Sequence, residues 1–385
     1  MPKEASILRN PLHSGLVEDF SGQEERFGAA FNILREAISL RAFPAASVAI
    51  THRGGLLACK AIGTFTYDGN SPPVSASSLF DLASVTKVVS TTTMAMLLYE
   101  RGSLDLKAAL QDVVPEFVGD SSRDARRREV TLRHLLAHSS GLPAYEKLFL
   151  LHRTPEELMQ SAFIVPLTAD PGSRAEYSDI GFIILGFALQ RLAGEPLDAF
   201  CRREIFAPIG MTGTTFNPPT SLWERIVPTA YDQHFRKKII QGEVQDENAS
   251  VLGGVAGHAG LFSTARDLAQ FAHAMLNGGG PILRPETLAT FTQREASPAG
   301  SSRALGWDTP SAPSQSGKYF SAKSFGHLGY TGTSLWIDPV RQLSVTLLTN
   351  RTWPDCANQA IKQIRPKFHD CVIEAIDALS EGRAV

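Results

Sequence analysis

The chain has 385 residues and a net charge of −2, with 37 Lys and Arg against 39 Asp and Glu; 43% of it is apolar and 20% charged. That composition excludes a largely disordered chain, and near-neutrality removes the electrostatic pull that a nucleic-acid partner needs. The length exceeds what one compact core usually holds, so two lobes or one enlarged domain are expected.

Met1 to Phe20 carries scattered charges and no apolar core of a secretory signal, which gives a cytoplasmic expectation. The first twenty residues read as a loose arm, and 1–24 is set apart as an N-terminal segment. Phe27, Phe31, Leu34 and Ile38 fall at helical spacing, so 25–41 is an amphipathic helix. Ala46 to His52 and Leu56 to Phe65 are two strands of a hairpin, with Arg53, Gly54 and Gly55 in the turn. Helical patterns follow at 84–100, 131–138, 155–163, 178–193, 197–206 and 264–277. The Arg126-Arg127-Arg128 run, diluted by Asp124 and Glu129, is a solvated loop. Pro310 to Gly317, rich in Ser and Pro, is a surface loop. Strands Thr333 to Asp338, in which Trp336 packs, and Leu343 to Thr349 precede a last helix carrying Phe368, Val372, Ile376 and Leu379 and starting after Pro366. No apolar run is long enough to span a membrane. Early and late strands can share one antiparallel sheet covered by the terminal helices. The expected class is therefore α+β, with an α/β domain from 25–85 and 246–385, an inserted helical domain at 86–245, and a cleft at their seam.

Cys59, Cys201, Cys356 and Cys371 are far apart and form no C-x-x-C pair, which reads as buried reduced thiols. The ten histidines are dispersed without H-E-x-x-H, so no metal site is expected. G-x-S-x-G is absent, which argues against an α/β-hydrolase nucleophile elbow. Three stretches carry chemistry instead. In Ser84-Val85-Thr86-Lys87 a helix start puts the Lys87 amine at i+3, within reach of the Ser84 hydroxyl, and serine needs such a neighbour to become a nucleophile. Tyr177-Ser178-Asp179 precedes an apolar helix, and its phenol, placed near an ammonium, would lose pKa and serve as a base. Gly326-His327-Leu328-Gly329-Tyr330 stands at the head of a strand, where glycine permits close approach to a ligand and an edge N–H can meet an oxyanion.

Together these stretches resemble the serine β-lactamase and penicillin-binding-protein superfamily, in the branch of class C β-lactamases, D-alanyl-D-alanine carboxypeptidases and family VIII carboxylesterases. Thr131 to Pro143, Ile205 to Met211 and Gly257 to Leu268 add to the resemblance, which runs from about residue 27 to 380. It implies a β-lactamase/transpeptidase-like fold. It also implies Ser84 as the acylated nucleophile, Lys87 and Tyr177 sharing proton transfer, the N–H groups of Ser84 and Tyr330 as the oxyanion hole, and Asp179, His327, Leu328 and Gly329 against the substrate. His138 and His258, inside the familial stretches, are expected to be structural.

Two positions depart from class C enzymes. Asp179 stands where Tyr-x-Asn is usual; its carboxylate should keep Lys87 cationic and leave Tyr177 as principal base. His327-Leu328-Gly329 stands where Lys-Thr-Gly is usual, and a neutral imidazole holds a penicillin carboxylate less well than an ammonium. Small carboxylic esters are therefore the expected substrates, with weak or no β-lactamase activity and no cofactor. β-Lactam or D-Ala-D-Ala hydrolysis is the alternative, and a non-turnover penicillin-binding sensor module is the alternative of another class. A metal-dependent hydrolase is the weakest reading. The loops at 144–154, 231–247 and 293–324 are expected to shape the pocket; the oligomeric state has no sequence signal.

Overall fold

Strand β2 (Ala45–His52) is buried almost throughout, and β3 (Gly55–Gly63) pairs with it antiparallel, Ala49 opposite Cys59. Arg53 and Gly54 alone join them, with φ of 49° and 83°, the left-handed pair that a two-residue hairpin turn requires. In the computed structural model, which describes residues 15–119 and 124–380, this hairpin lies inside a six-stranded sheet. Its other members are β1 (Val17–Glu18), β9 (Phe325–Leu328), β10 (Ser334–Asp338) and β11 (Leu343–Thr349), in the order β1-β3-β2-β11-β10-β9. All neighbours are antiparallel except β1 with β3. Residues 1–14 of the expected arm lie outside the described residues, but Val17 and Glu18 are not loose: they extend the sheet.

Alternation across the pleat gives the sheet two buried faces. Val48, Ile50, Val345 and Leu347 pack on Phe27, Phe31 and Leu34 of α1 (Gln23–Ser39) and on Phe368, Val372 and Ile376 of α11 (Ile361–Ser380). Ala45, Ala49 and Leu348 face Leu268, Phe271 and Ala272 of α9 (Ala265–Leu276). Each large side chain so buried contributes about 1.5–3 kcal/mol. Helices α2 (Thr93–Glu100), α3 (Leu110–Val113), α4 (Leu132–Leu136), α5 (Pro155–Ile164), α6 (Asp179–Ala193), α7 (Leu197–Cys201), α8 (Glu247–Val251) and α10 (Pro285–Thr292) complete the α+β architecture. A small sheet joins β4 (Phe80–Asp81), β8 (Leu261–Ser263) and β5 (Thr215–Phe216), and β6 (Ala230–Asp232) pairs with β7 (Lys238–Ile240). No single helix among the described residues is long and apolar enough to cross a membrane.

Several expectations need correction. The helix expected at 84–100 is three pieces: a 3-10 turn Ala83–Val85, a π-helical stretch Lys87–Thr92, then α2. Helix α11 begins at Ile361 and contains Pro366. Proline cannot donate to the carbonyl four residues back, and Gln315 Nε2 donates to that Lys362 carbonyl instead, at 2.9 Å. Arg127 is not solvated: it is buried, sits 3.9 Å from the Phe117 ring centroid, and donates to the carbonyls of Phe117, Val165 and Phe163. Burial pushes its pKa down to about 10. All four cysteines are free, but only Cys201 is buried: Cys59 and Cys371 are half-buried and Cys356 is exposed.

Candidate active site

Ser84 follows β4 on a tightly constrained turn. Ala83 has a φ of 46°, a left-handed conformation costly for a residue with a Cβ. Asp81 Oδ1 accepts from the Ala83 N–H at 2.8 Å and Oδ2 from the Gln245 N–H at 2.6 Å, which holds that turn. The i+3 geometry is as expected: Lys87 Nζ lies 3.0 Å from Ser84 Oγ. Nζ also donates to Asp179 Oδ1 at 2.6 Å and to the His258 carbonyl at 3.0 Å. These are the three acceptors that one ammonium can serve. The Lys87 side chain is fully buried. Burial lowers its pKa, and this outweighs the opposing pull of Asp179.

Tyr177 Oη is 2.6 Å from Ser84 Oγ. Residues 177–179 reach the site because Ser178 caps α6, its hydroxyl accepting from the Gly181 N–H and donating to the Pro143 carbonyl. Asp179 then opens the helix beside Lys87. The expectation of a lowered phenol pKa fails. Burial, and then the Asp179 carboxylate, push Tyr177 well above its ordinary value, so it is a neutral phenol. Two imidazoles flank its ring, His138 at 4.8 Å and His327 at 5.9 Å between centroids. His138 Nδ1 accepts from the Ser178 N–H at 3.1 Å, and burial holds it neutral.

His327 belongs to edge strand β9 rather than to the approach to a strand. Its Nδ1 lies 2.7 Å from the Leu328 carbonyl and therefore carries the proton; buried Nε2 has no partner among the described residues. Burial, with Lys87 and Arg303 nearby, keeps the ring neutral, its pKa well below the usual histidine value. Gly329 has no room for a side chain: a Cβ would sit 1.9 Å from Thr333 Oγ1 and 2.5 Å from the Leu82 carbonyl. Thr333 Oγ1 donates to the Leu82 carbonyl and Thr331 Oγ1 to that of Asp81. The turn after β9 is thereby tied to the segment that presents Ser84. Neither the Ser84 nor the Tyr330 N–H donates to a protein acceptor among the described residues.

The cleft around these groups measures about 980 Å³ and is lined by all three expected loops, through Tyr145 and Phe149, Phe235 and Asp246, and Arg303. His258 is the hydrogen-bonded structural histidine that was expected: its Nε2 pairs with Asp246 Oδ1 at 2.8 Å while its carbonyl holds Lys87. Sequence reasoning missed Asp246, which that imidazole holds, and Arg303. Arg303 lies with its guanidinium carbon 5.4 Å from the Tyr177 ring centroid, and no motif marks it.

The beta-lactamase family model matches residues 32–365, nearly the whole chain. The chain belongs to the beta-lactamase family. A relative from Escherichia coli (strain K12) named "Putative D-alanyl-D-alanine carboxypeptidase" is 33% identical over 319 residues, covering 74% of this chain and 73% of its own. Among solved structures, EstCE1, described as a hydrolase with promiscuous acyltransferase activity, superposes with a TM-score of 0.75 at 21% identity, over 91% of this chain and 99% of that one. The octameric penicillin-binding protein homologue from Pyrococcus abyssi gives 0.68 at 20%, over 92% and 77%. This beta-lactamase family member is a serine hydrolase with the β-lactamase/transpeptidase-like fold.

Proposed function

We propose that the chain hydrolyses small carboxylic esters through an acyl-enzyme on Ser84, with weak or no β-lactamase turnover. One observation carries this reading: a single hydroxyl oxygen, Ser84 Oγ, has an amine at 3.0 Å and a phenol at 2.6 Å. Tyr177 is held as a phenol and burial shifts Lys87 toward its neutral form; in that form the Lys87 amine takes the Ser84 proton as Oγ attacks the carbonyl carbon. The ammonium so formed is stabilised by Asp179, and the Ser84 and Tyr330 N–H groups receive the oxyanion. Tyr177 gives its proton to the departing alkoxide and is reprotonated by Lys87. Water then attacks the acyl-enzyme with the same groups in reversed roles. The neutral His327 supports poor retention of a penicillin carboxylate.

Intact-mass spectrometry after mixing with a nitrophenyl ester should show transient acylation, absent in Ser84→Ala. Persistent labelling by a β-lactam without release would instead indicate a penicillin-binding sensor. A panel of nitrophenyl butyrate, nitrocefin and a D-Ala-D-Ala peptide ranks the substrate classes. Nitrocefin turnover rivalling the ester would overturn the ester preference, and retained activity in Ser84→Ala would overturn the nucleophile. The D-Ala-D-Ala peptide is the second reading, supported by the name of the Escherichia coli relative.

A further inference from the structure

Arg303 is a cation placed in the cleft by a braced loop. Its N–H donates to Ser301 Oγ at 3.0 Å, its carbonyl accepts from the Glu295 N–H at 2.8 Å, and its backbone bridges to Asp308. Glu295 is itself gripped by Arg133 at 2.8 and 2.9 Å. The Arg303 guanidinium, in contrast, makes no hydrogen bond among the described residues. Its one acidic neighbour there is Asp308, with Oδ1 3.8 Å away, and that oxygen already accepts from Ser302 Oγ at 2.7 Å and the Thr309 N–H at 3.0 Å. About four-fifths of the side chain is buried, and its outlook is onto the Tyr177 ring. A planar fork of N–H donors on a braced backbone, with one long ion pair to Asp308 and no hydrogen bond among the described residues, suits a carboxylate better than a point charge would.

The neighbouring β9 position explains why such a cation is needed. His327 Nδ1 spends its proton on the Leu328 carbonyl, so Nε2 turns a lone pair, not a donor, toward any anion. We infer that Arg303 is a specificity-determining residue that binds a carboxylate on the substrate, near the bond that Ser84 attacks. This deepens the ester reading and rests on it: the favoured ester is acyclic and carries an acid. A bicyclic β-lactam fixes its carboxylate relative to the reacting carbonyl. A cation moved from the 327 position to the Arg303 loop is therefore mismatched to it, whereas a flexible ester can reach.

The test uses a matched pair, 3-carboxyphenyl butyrate and its methyl ester 3-(methoxycarbonyl)phenyl butyrate. They share an acyl group and differ in one charge. The wild type should favour the acid. In Arg303→Gln the acid-to-neutral ratio of kcat/KM should fall about 10- to 100-fold, the loss of one or two decades expected for a charge-assisted hydrogen bond. Arg303→Lys should recover part of it. Using a ratio cancels any effect of Arg303 on Lys87 and Tyr177. The same ratio measured as Kd on Ser84→Ala, with and without Arg303→Gln, reads binding alone. A ratio that agrees within twofold between the wild type and Arg303→Gln would overturn the inference. If the wild type cleaves neither compound, the ester reading fails, and the Ser84→Ala binding ratios still decide the role of Arg303.

Discussion

Replacing Asp179 by Asn removes the carboxylate 2.6 Å from Lys87 Nζ while leaving an amide oxygen able to accept the same hydrogen bond. Asp179 raises the pKa of Lys87 and of Tyr177, so both should fall in the variant. At an effective permittivity of about 20, unit charges at 2.6 Å attract by roughly 6 kcal/mol, an upper bound of about 4–5 pH units. The amide dipole keeps part of that attraction, so a displacement of about 1–3 units is expected, the usual effect of one opposite charge. Lys87 acts when deprotonated, so activity rises as pH climbs through its pKa. A lower pKa moves this acid limb toward acid, and the alkaline limb set by Tyr177 moves the same way. The assay is kcat/KM for nitrophenyl butyrate across the pH range, wild type against Asp179→Asn. An unmoved acid limb, or one displaced toward alkali, would refute Lys87 as the base tuned by Asp179.

Three further outcomes are expected. Tyr177→Phe keeps the ring beside His138 but loses the proton donor, so kcat for the same ester should drop about 10²–10⁴-fold with little change in Tm. Gln315→Ala strands the Lys362 carbonyl that Pro366 cannot satisfy; in a double-mutant cycle with Pro366→Ala, chemical denaturation should show a coupling of about 0.5–1.5 kcal/mol. Asp81 is buried, and this pushes its pKa up from 3.8 to about 6. The folded protein therefore holds this proton more tightly than the unfolded chain. The associated stability, about 3 kcal/mol in full, is present at low pH and lost as pH rises from about 4 to 6. Tm scans should show this slope flattened in Asp81→Asn.

What the sequence discloses follows the range of the forces involved. Helix α1, strands β2, β3 and β11, and helices α6 and α9 each announce themselves by the period of their own buried residues. The Ser84–Lys87 couple is equally local, since three residues along one turn suffice to join them. The small sheet of β4, β5 and β8 escapes because strands of two or three residues carry no period and exist through pairing alone. Pro366 inside α11 reads as a start signal because its rescuer, Gln315, is 47 positions from the carbonyl it satisfies. The phenol of Tyr177 shifts opposite to expectation because burial, the larger effect, is a property of the folded cleft. Arg127 and Arg303 show the same limit from the side of charge: one guanidinium of a basic run is sequestered among carbonyls, and a lone arginine in a Ser- and Gly-containing loop reaches the reacting groups.

The sheet order also governs when the protein can become itself during synthesis. Strand β2 leaves the ribosome well before β11, whose residues begin at Leu343, and waits for it. Until then Val48 and Ile50 have no partner on that edge, and the nascent chain holds an open strand while the segments between β2 and β11 are made. Ser84, Lys87 and Tyr177 are all polymerised long before, and the turn that ties Thr331 and Thr333 to the nucleophile segment follows only well after them. Competence is thus acquired in one late step, and chains released early should be clients of chaperones and proteases rather than partial catalysts.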